Sequence, residues 1–143
     1  MPSDDPYDLA RFRTAQDADG TYDRAIAELR AGRKTTHWMW FVLPQIAGLG
    51  SSPTAVRYAI TSADEARAYL ADEVLGARLR EAAEAVASAP ADSVEALLGG
   101  IDAAKLRSSA TLFLRVAPEE QVLRRVLDRW FAGEEDDATL ARL

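Results

Sequence analysis

The chain has 143 residues, 48% of them hydrophobic and 28% charged, with 17 Lys and Arg against 23 Asp and Glu for a formal net charge of −6. This is the composition of a folded globular chain, not a disordered one, at a length that suits one domain over residues 1–143. The absence of Cys excludes a disulfide framework, a thiolate metal site and a Cys nucleophile, and no stretch of 18 consecutive apolar residues is present to cross a membrane.

In chain order, Asp5-Pro6 reads as an N-cap and first helical position, with Leu9 and Phe12 on the inner face of a helix ending near Gln16. Tyr22, Ile26 and Leu29 recur at helical spacing, and Gly32 closes that helix. Trp38–Leu43 is ambiguous. Its residues suit a strand, but a lone strand leaves its backbone groups unpaired, and the one plausible partner is Thr111–Val116. The preferred reading is a short buried helix, apolar all round and stopped by Pro44. Ser52-Pro53 opens the next helix, with Val56 and Ile60 on one side, and Ser62-Ala63-Asp64-Glu65 approximates a capping box for a helix through Leu70.

The clearest amphipathic segment runs from Asp72 to Ser88, with Leu75, Leu79, Ala82 and Val86 inward and Pro90 beyond its end. Asp92-Ser93 caps a short turn through Leu98, closed by Gly99-Gly100. Asp102 then caps a helix to about Val116, and Pro118 starts another whose stripe is Val122, Leu123, Val126, Leu127, Trp130 and Phe131, ended by Gly133. Leu140 and Leu143 are expected to fold a last turn back onto the body. The fold class is all-α, a compact orthogonal bundle of about six to eight short helices.

The start of the chain carries neither a basic region nor an apolar run, so the expected compartment is the cytoplasm. Acidic residues gather at the ends, at Asp4, Asp5 and Asp8 and in a run at 134–137 read as solvated, and leave the body neutral. Nucleic-acid binding wants a positive field over many phosphates, and none is evident.

Chemistry concentrates in two blocks. His37-Trp38-Met39-Trp40-Phe41-Val42-Leu43-Pro44-Gln45 holds the single His and two of the three Trp, preceded by Arg33-Lys34 and followed by Gly48-Leu49-Gly50-Ser51-Ser52-Pro53. The second block is Lys105-Leu106-Arg107-Ser108-Ser109. His37 is the candidate acid or base, set against a His that merely bonds a neighbouring backbone group. One His and no Cys argue against a metal, and no cofactor is implied. Trp38, Trp40 and Phe41 could stack on a flat ligand or simply be core. The glycine turn at 48–53 could receive an anion or be an ordinary capped loop. Lys105 beside Ser108 or Ser109 raises Ser–Lys chemistry, against serines that bond back to the preceding turn.

These blocks carry a family resemblance. Gly32-Arg33-Lys34, His37-Trp38-Met39-Trp40-Phe41, Pro44-Gln45 and Gly48-Leu49-Gly50, with Arg11-Phe12, Ala15-Gln16, Tyr58-Ala59-Ile60, Leu75-Gly76, Lys105-Leu106, Ser108-Ser109 and Thr111-Leu112-Phe113, resemble the bacterial "domain of unknown function 1810" family along nearly the whole chain. The resemblance implies a compact, mainly helical single domain with no established activity. Members have carried the label calpastatin, a protease inhibitor, but such an inhibitor is an unfolded chain and these residues are built to fold. Asp72-Glu73 stands where the family commonly has His-Pro, which removes a second His, and Ala110 stands where it commonly has Met.

Two functions follow as expectations. One is a pocket protein for a small anionic, nucleotide-like molecule, its site drawn from Lys34, His37, Trp38, Trp40, Gln45, Tyr58, Lys105, Arg107, Ser108 and Ser109. Arg33 adds charge and Ser51 and Ser52 add donors. It requires the two blocks to meet in space. The other is a non-enzymatic interaction or self-association module using the Val122–Phe131 stripe. No nucleophile–base pair is visible, so no reaction is named.

Overall fold

The computed structural model describes residues 4–143, and its regular structure is helical throughout. Six helices have eight residues or more: α1 (Ala10–Asp17), α2 (Thr21–Ala31), α5 (Ala63–Ala71), α6 (Glu73–Ala87), α8 (Gly100–Val116) and α9 (Gln121–Phe131). Between them lie the shorter α3 (Met39–Val42), α4 (Pro53–Arg57), α7 (Val94–Leu98) and α10 (Asp137–Leu140). No helix among the described residues is long and apolar enough to cross a membrane.

Helix starts follow side-chain capping chemistry. The first amides of a helix lack intrahelical acceptors, and a Ser or Asp oxygen supplies one. Ser52, Ser62 and Ser93 accept from Ala55 N, Glu65 N and Ala96 N at 3.0–3.1 Å, and Asp72 accepts from Val74 N and Leu75 N. Asp72, standing where a family His is common, thus caps α6 and also pairs with Arg13 at 2.6 Å. Gly32 ends α2 at φ +84°, and a Cβ there would lie 2.5 Å from the Pro90 carbonyl oxygen, so both backbone angle and space require glycine.

One hydrophobic cluster runs from Leu9 to Leu127. The stripe Leu75, Leu79, Ala82 and Val86 of α6 is buried in it as expected. α9 lies across α6 and α8, while α5 packs on both. Trp38–Leu43 resolves as the one-turn α3, and its imagined partner 111–116 is the interior of α8.

Several boundaries moved. The first helix begins at Ala10, a turn after Pro6, yet the Asp5 carboxylate still accepts from Leu9 N (2.7 Å) and Ala10 N (2.8 Å) across the intervening turn. α8 starts at Gly100, because Gly99 takes φ +84°, and Asp102 falls inside the first turn with its carboxylate committed elsewhere. α9 starts at Gln121, not Pro118. Ile60 lies outside α4: it is extended and buried in an isolated parallel bridge with Ile46, while Val56 is 63% exposed. At the C-terminus Leu143 is exposed and Thr139 is the buried anchor. The run 134–137 is not uniformly solvated, since Asp136 accepts from Thr139 N (3.1 Å), the Thr139 hydroxyl (2.5 Å) and the Ser108 hydroxyl (3.0 Å).

Candidate functional site

The segment from Lys34 to Ala47 is threaded through the molecule by side chains that reach it from other elements. Glu28, on α2 and 8% exposed, is its first anchor. Its Oε1 accepts from Thr35 N (2.8 Å), Thr36 N (3.1 Å) and the Trp38 indole Nε1 (3.0 Å), and its Oε2 from the Thr36 hydroxyl (2.5 Å). Burial pushes this carboxyl up, but the hydrogen bonds from Thr36, Trp38 and the Thr35 and Thr36 amides outweigh it and hold the group at about 2. At the far end of α3, the buried Gln16 donates to the Phe41 carbonyl at 2.7 Å, filling an acceptor that a helix terminus leaves open. Beyond Pro44 the Ile46–Ile60 bridge continues the job: Ile60 N donates to Gln45 O and Ala47 N to Ile60 O, both at 2.8 Å.

Arg11 holds the 57–61 loop. All five of its N–H donors are used, on the carbonyls of Tyr7, Asp8, Arg57 and Ala59 and on Glu65 Oε2 at 2.8 Å. Glu65 in turn accepts at Oε1 from the Thr61 amide and hydroxyl, so the 57–61 loop is pinned to α1 and α5.

What this scaffolding presents is Trp40, half-buried, at the meeting of three cavities. An uncharged one of about 310 Å³ is lined by Gln45, Tyr58, Ala55 and Val56. A second, about 460 Å³, is lined by Lys34, His37, Gly99, Gly100, Asp102 and Lys105. A third, about 450 Å³, carries Gln45, Ser51, Ser52, Lys105, Ser108 and Asp136. Each is of a size usual for small-molecule sites, roughly 300–1,000 Å³. The Lys105 ammonium stands 4.7 Å from the Trp40 ring centre, a cation–π contact that joins the two sequence blocks.

The residues singled out in the sequence have divided fates. Trp40, Gln45, Tyr58, Lys34, His37, Lys105 and Ser108 border these cavities. Trp38 is fully buried and belongs to the core. Arg107 turns away, donating to the carbonyls of Glu134 (3.1 Å) and Glu135 (2.7 Å) and tying the C-terminal loop to α8. Ser108 shares its hydroxyl between the Ala104 carbonyl and Asp136, and Lys105 is directed at Asp102, so they form no Ser–Lys pair. Ser52 spends its oxygen on the α4 cap. Asp102, read from sequence only as a cap, lies 2.8 Å from Lys34 Nζ and 3.5 Å from Lys105 Nζ, which leaves the lysine cavity with one net positive charge. Nothing local signalled that role. Glu28 and Gln16 were equally silent, as polar residues in amphipathic helices are usually solvated.

Residues 6–143 match the family described as "Protein of unknown function (DUF1810)". The chain belongs to the DUF1810 family. Its structure is similar to the crystal structure of the conserved hypothetical protein Rv1873 from Mycobacterium tuberculosis, at a TM-score of 0.93 and 48% identity, covering 97% of this chain and 98% of that one. No curated protein matches it.

In this DUF1810 chain the second serine of the Ser108-Ser109 pair is no part of the groove. Ser109 is buried, and its Oγ has no hydrogen-bond partner among the described residues. A buried, unpaired hydroxyl is a cost that a methyl group does not carry. Ser109→Ala is therefore expected to leave stability unchanged or raise it by up to about 1 kcal/mol. Urea denaturation checks this, and a loss above that size would reveal an undetected bond.

Proposed function

We propose that the groove around Trp40 binds a small anionic molecule with a flat, apolar part. The observation that carries the reading is the placement of Lys105 against a half-buried indole, between an uncharged cavity and one with net positive charge. Such a boundary suits a ligand that is itself divided, one end desolvated against aromatic and aliphatic groups and the other neutralised by ammonium. His37, exposed at the mouth and without a hydrogen-bond partner among the described residues, is free to orient the anion. No nucleophile–base pair accompanies it, so binding is proposed and catalysis is not.

Trp40 is its own reporter. Titrating pyrophosphate and nucleoside phosphates should change tryptophan emission, and Trp40→Phe should abolish the change while Trp38 and Trp130 still emit. Lys105→Gln should weaken the apparent affinity about tenfold, the worth of one charged hydrogen bond. A set of anions that produces no response, or a response indifferent to Lys105, would end the proposal.

The alternative, self-association through the α9 stripe, has less support. Leu123, Val126 and Leu127 are buried, Val122, Trp130 and Phe131 pack against the core, and the Trp130 indole donates to Val86 O at 2.9 Å. Ile101, at 79% exposure, and Val56 are the large apolar side chains left outermost, and both border the groove.

A further inference from the structure

The acid in the lysine cavity is the feature that an anion groove leaves unexplained. Asp102 stands between both ammonium groups, 2.8 Å from Lys34 Nζ and 3.5 Å from Lys105 Nζ. Other aspartates near helix starts act as caps: Asp5, Asp72 and Asp136 each accept from backbone amides. Asp102 accepts from none. Helix α8 has no side-chain cap, and among the described residues this carboxylate meets the two lysines alone. No backbone bond holds it in place. A Cβ at Gly99 or Gly100, directly before Ile101, would meet nothing within 4 Å, so the start of α8 has open space into which a short side chain can turn. Lys34, by contrast, is enclosed. Its side chain is 7% exposed, its amide donates to Leu97 O at 2.7 Å, and its ammonium lies 5.3 Å from the Trp38 ring centre. A buried ammonium requires a counter-charge, whatever the source.

Resting on the groove reading above, we propose that Asp102 is a resident counter-ion which the ligand displaces, and that this exchange selects a dianionic group, such as a phosphomonoester, over a monoanion. Charge counting carries the argument. Two ammonium groups face one carboxylate, and one positive charge is left over. A monoanion that replaces the carboxylate trades one ion pair for another. A monoanion that binds beside it at Lys105 meets the repulsion of Asp102 together with the pull of the ammonium. A dianion replaces the carboxylate and also satisfies the leftover charge. Trp40 borders the same cavity, so the apolar end of the ligand keeps its place against the indole during the exchange. Specificity then comes from a competitor built into the chain, which sets the charge a ligand must bring.

Phenyl phosphate and phenyl sulfate test this. They share a ring and nearly a shape, but at about pH 8 the first is a dianion and the second a monoanion. In calorimetric titrations of the full chain, phenyl phosphate should bind about tenfold tighter than phenyl sulfate. Asp102→Asn should tighten both about tenfold, so that phenyl sulfate binds the variant as phenyl phosphate binds the wild type. The same variant leaves Lys34 buried without a counter-charge. Its thermal midpoint should fall, and phenyl phosphate should raise it by more than it raises that of the wild type. Combining Asp102→Asn with Lys34→Met removes both members of the pair, which restores the midpoint and leaves Lys105 as the sole charge. That double variant should bind the two ligands about equally. Equal binding of both ligands by the wild type, an Asp102→Asn variant that binds no tighter, or a double variant that keeps the tenfold preference would overturn the exchange while leaving an anion groove in place. In the last case Lys34 and Asp102 merely neutralise each other and the ligand never enters between them. Failure of the wild type and both variants to bind either ligand would overturn both readings.

Discussion

Glu28→Gln is expected to destabilise the protein by about 3 kcal/mol at neutral pH, and the loss should fade in acid. The carboxylate receives donors from Thr35, Thr36 and Trp38. A glutamine amide presents its own donors to some of these, leaving buried N–H and O–H groups unpaired. The carboxyl stands at about 2 in the folded chain against an ordinary 4.5. A depressed acid stabilises the fold fully above the unfolded value, and that stability disappears as pH falls through the folded one. At about 1.36 kcal/mol per unit, the gap gives the figure above. Urea denaturation of wild type and variant at pH 7 and near pH 2.5 should show the difference shrinking across the window from about 4.5 to about 2. An equal difference at both pH values would show that packing, not charge, is what the variant removed.

Arg11→Met should cost about 3–5 kcal/mol, the usual penalty for stripping one partner from a buried ion pair. Arg11 and Glu65 side chains are 9% and 2% exposed, and the variant leaves Glu65 desolvated without its counter-charge. It also frees four carbonyls that bind the 5–8 segment and the 57–61 loop to α1. Because that loop carries Tyr58, the variant should weaken ligand binding at Trp40 as well, with no groove residue altered. Adding Glu65→Met should recover part of the stability, since the uncompensated charge is then gone. A loss under about 1 kcal/mol for the single variant would mean that water screens the pair.

The legibility of the fold was uneven in an instructive way. Capping oxygens at Ser52, Ser62, Asp72 and Ser93 act within three residues, and the helix starts at all four were legible because their partners are local in sequence, although Asp72 was read only as the start of its helix and not as its cap. Asp5 also caps, but across a turn that local propensity does not foretell. Ile60 misled because its apolar character fits a helix face as well as a bridge, and the partner that decides is Ile46. The family-like block around Trp40 was visible, whereas the difference between Trp38 and Trp40 was not: two residues apart, one is core and the other borders three cavities.

From the order of its residues alone, this protein was bound to be helical, acidic at its ends and built around aliphatic stripes, since helix periodicity and capping act over a few residues. Which polar groups would meet was decided by packing. Lys34 finds Asp102, Lys105 finds Trp40, and Glu28 finds the Trp38 indole only once α2, α3 and α8 lie together. A charge buried on a helix chooses its partner by proximity in the folded state, where the local dielectric makes pairing strong and isolation costly. Chain position does not encode that proximity, so the groove is a property of the tertiary structure.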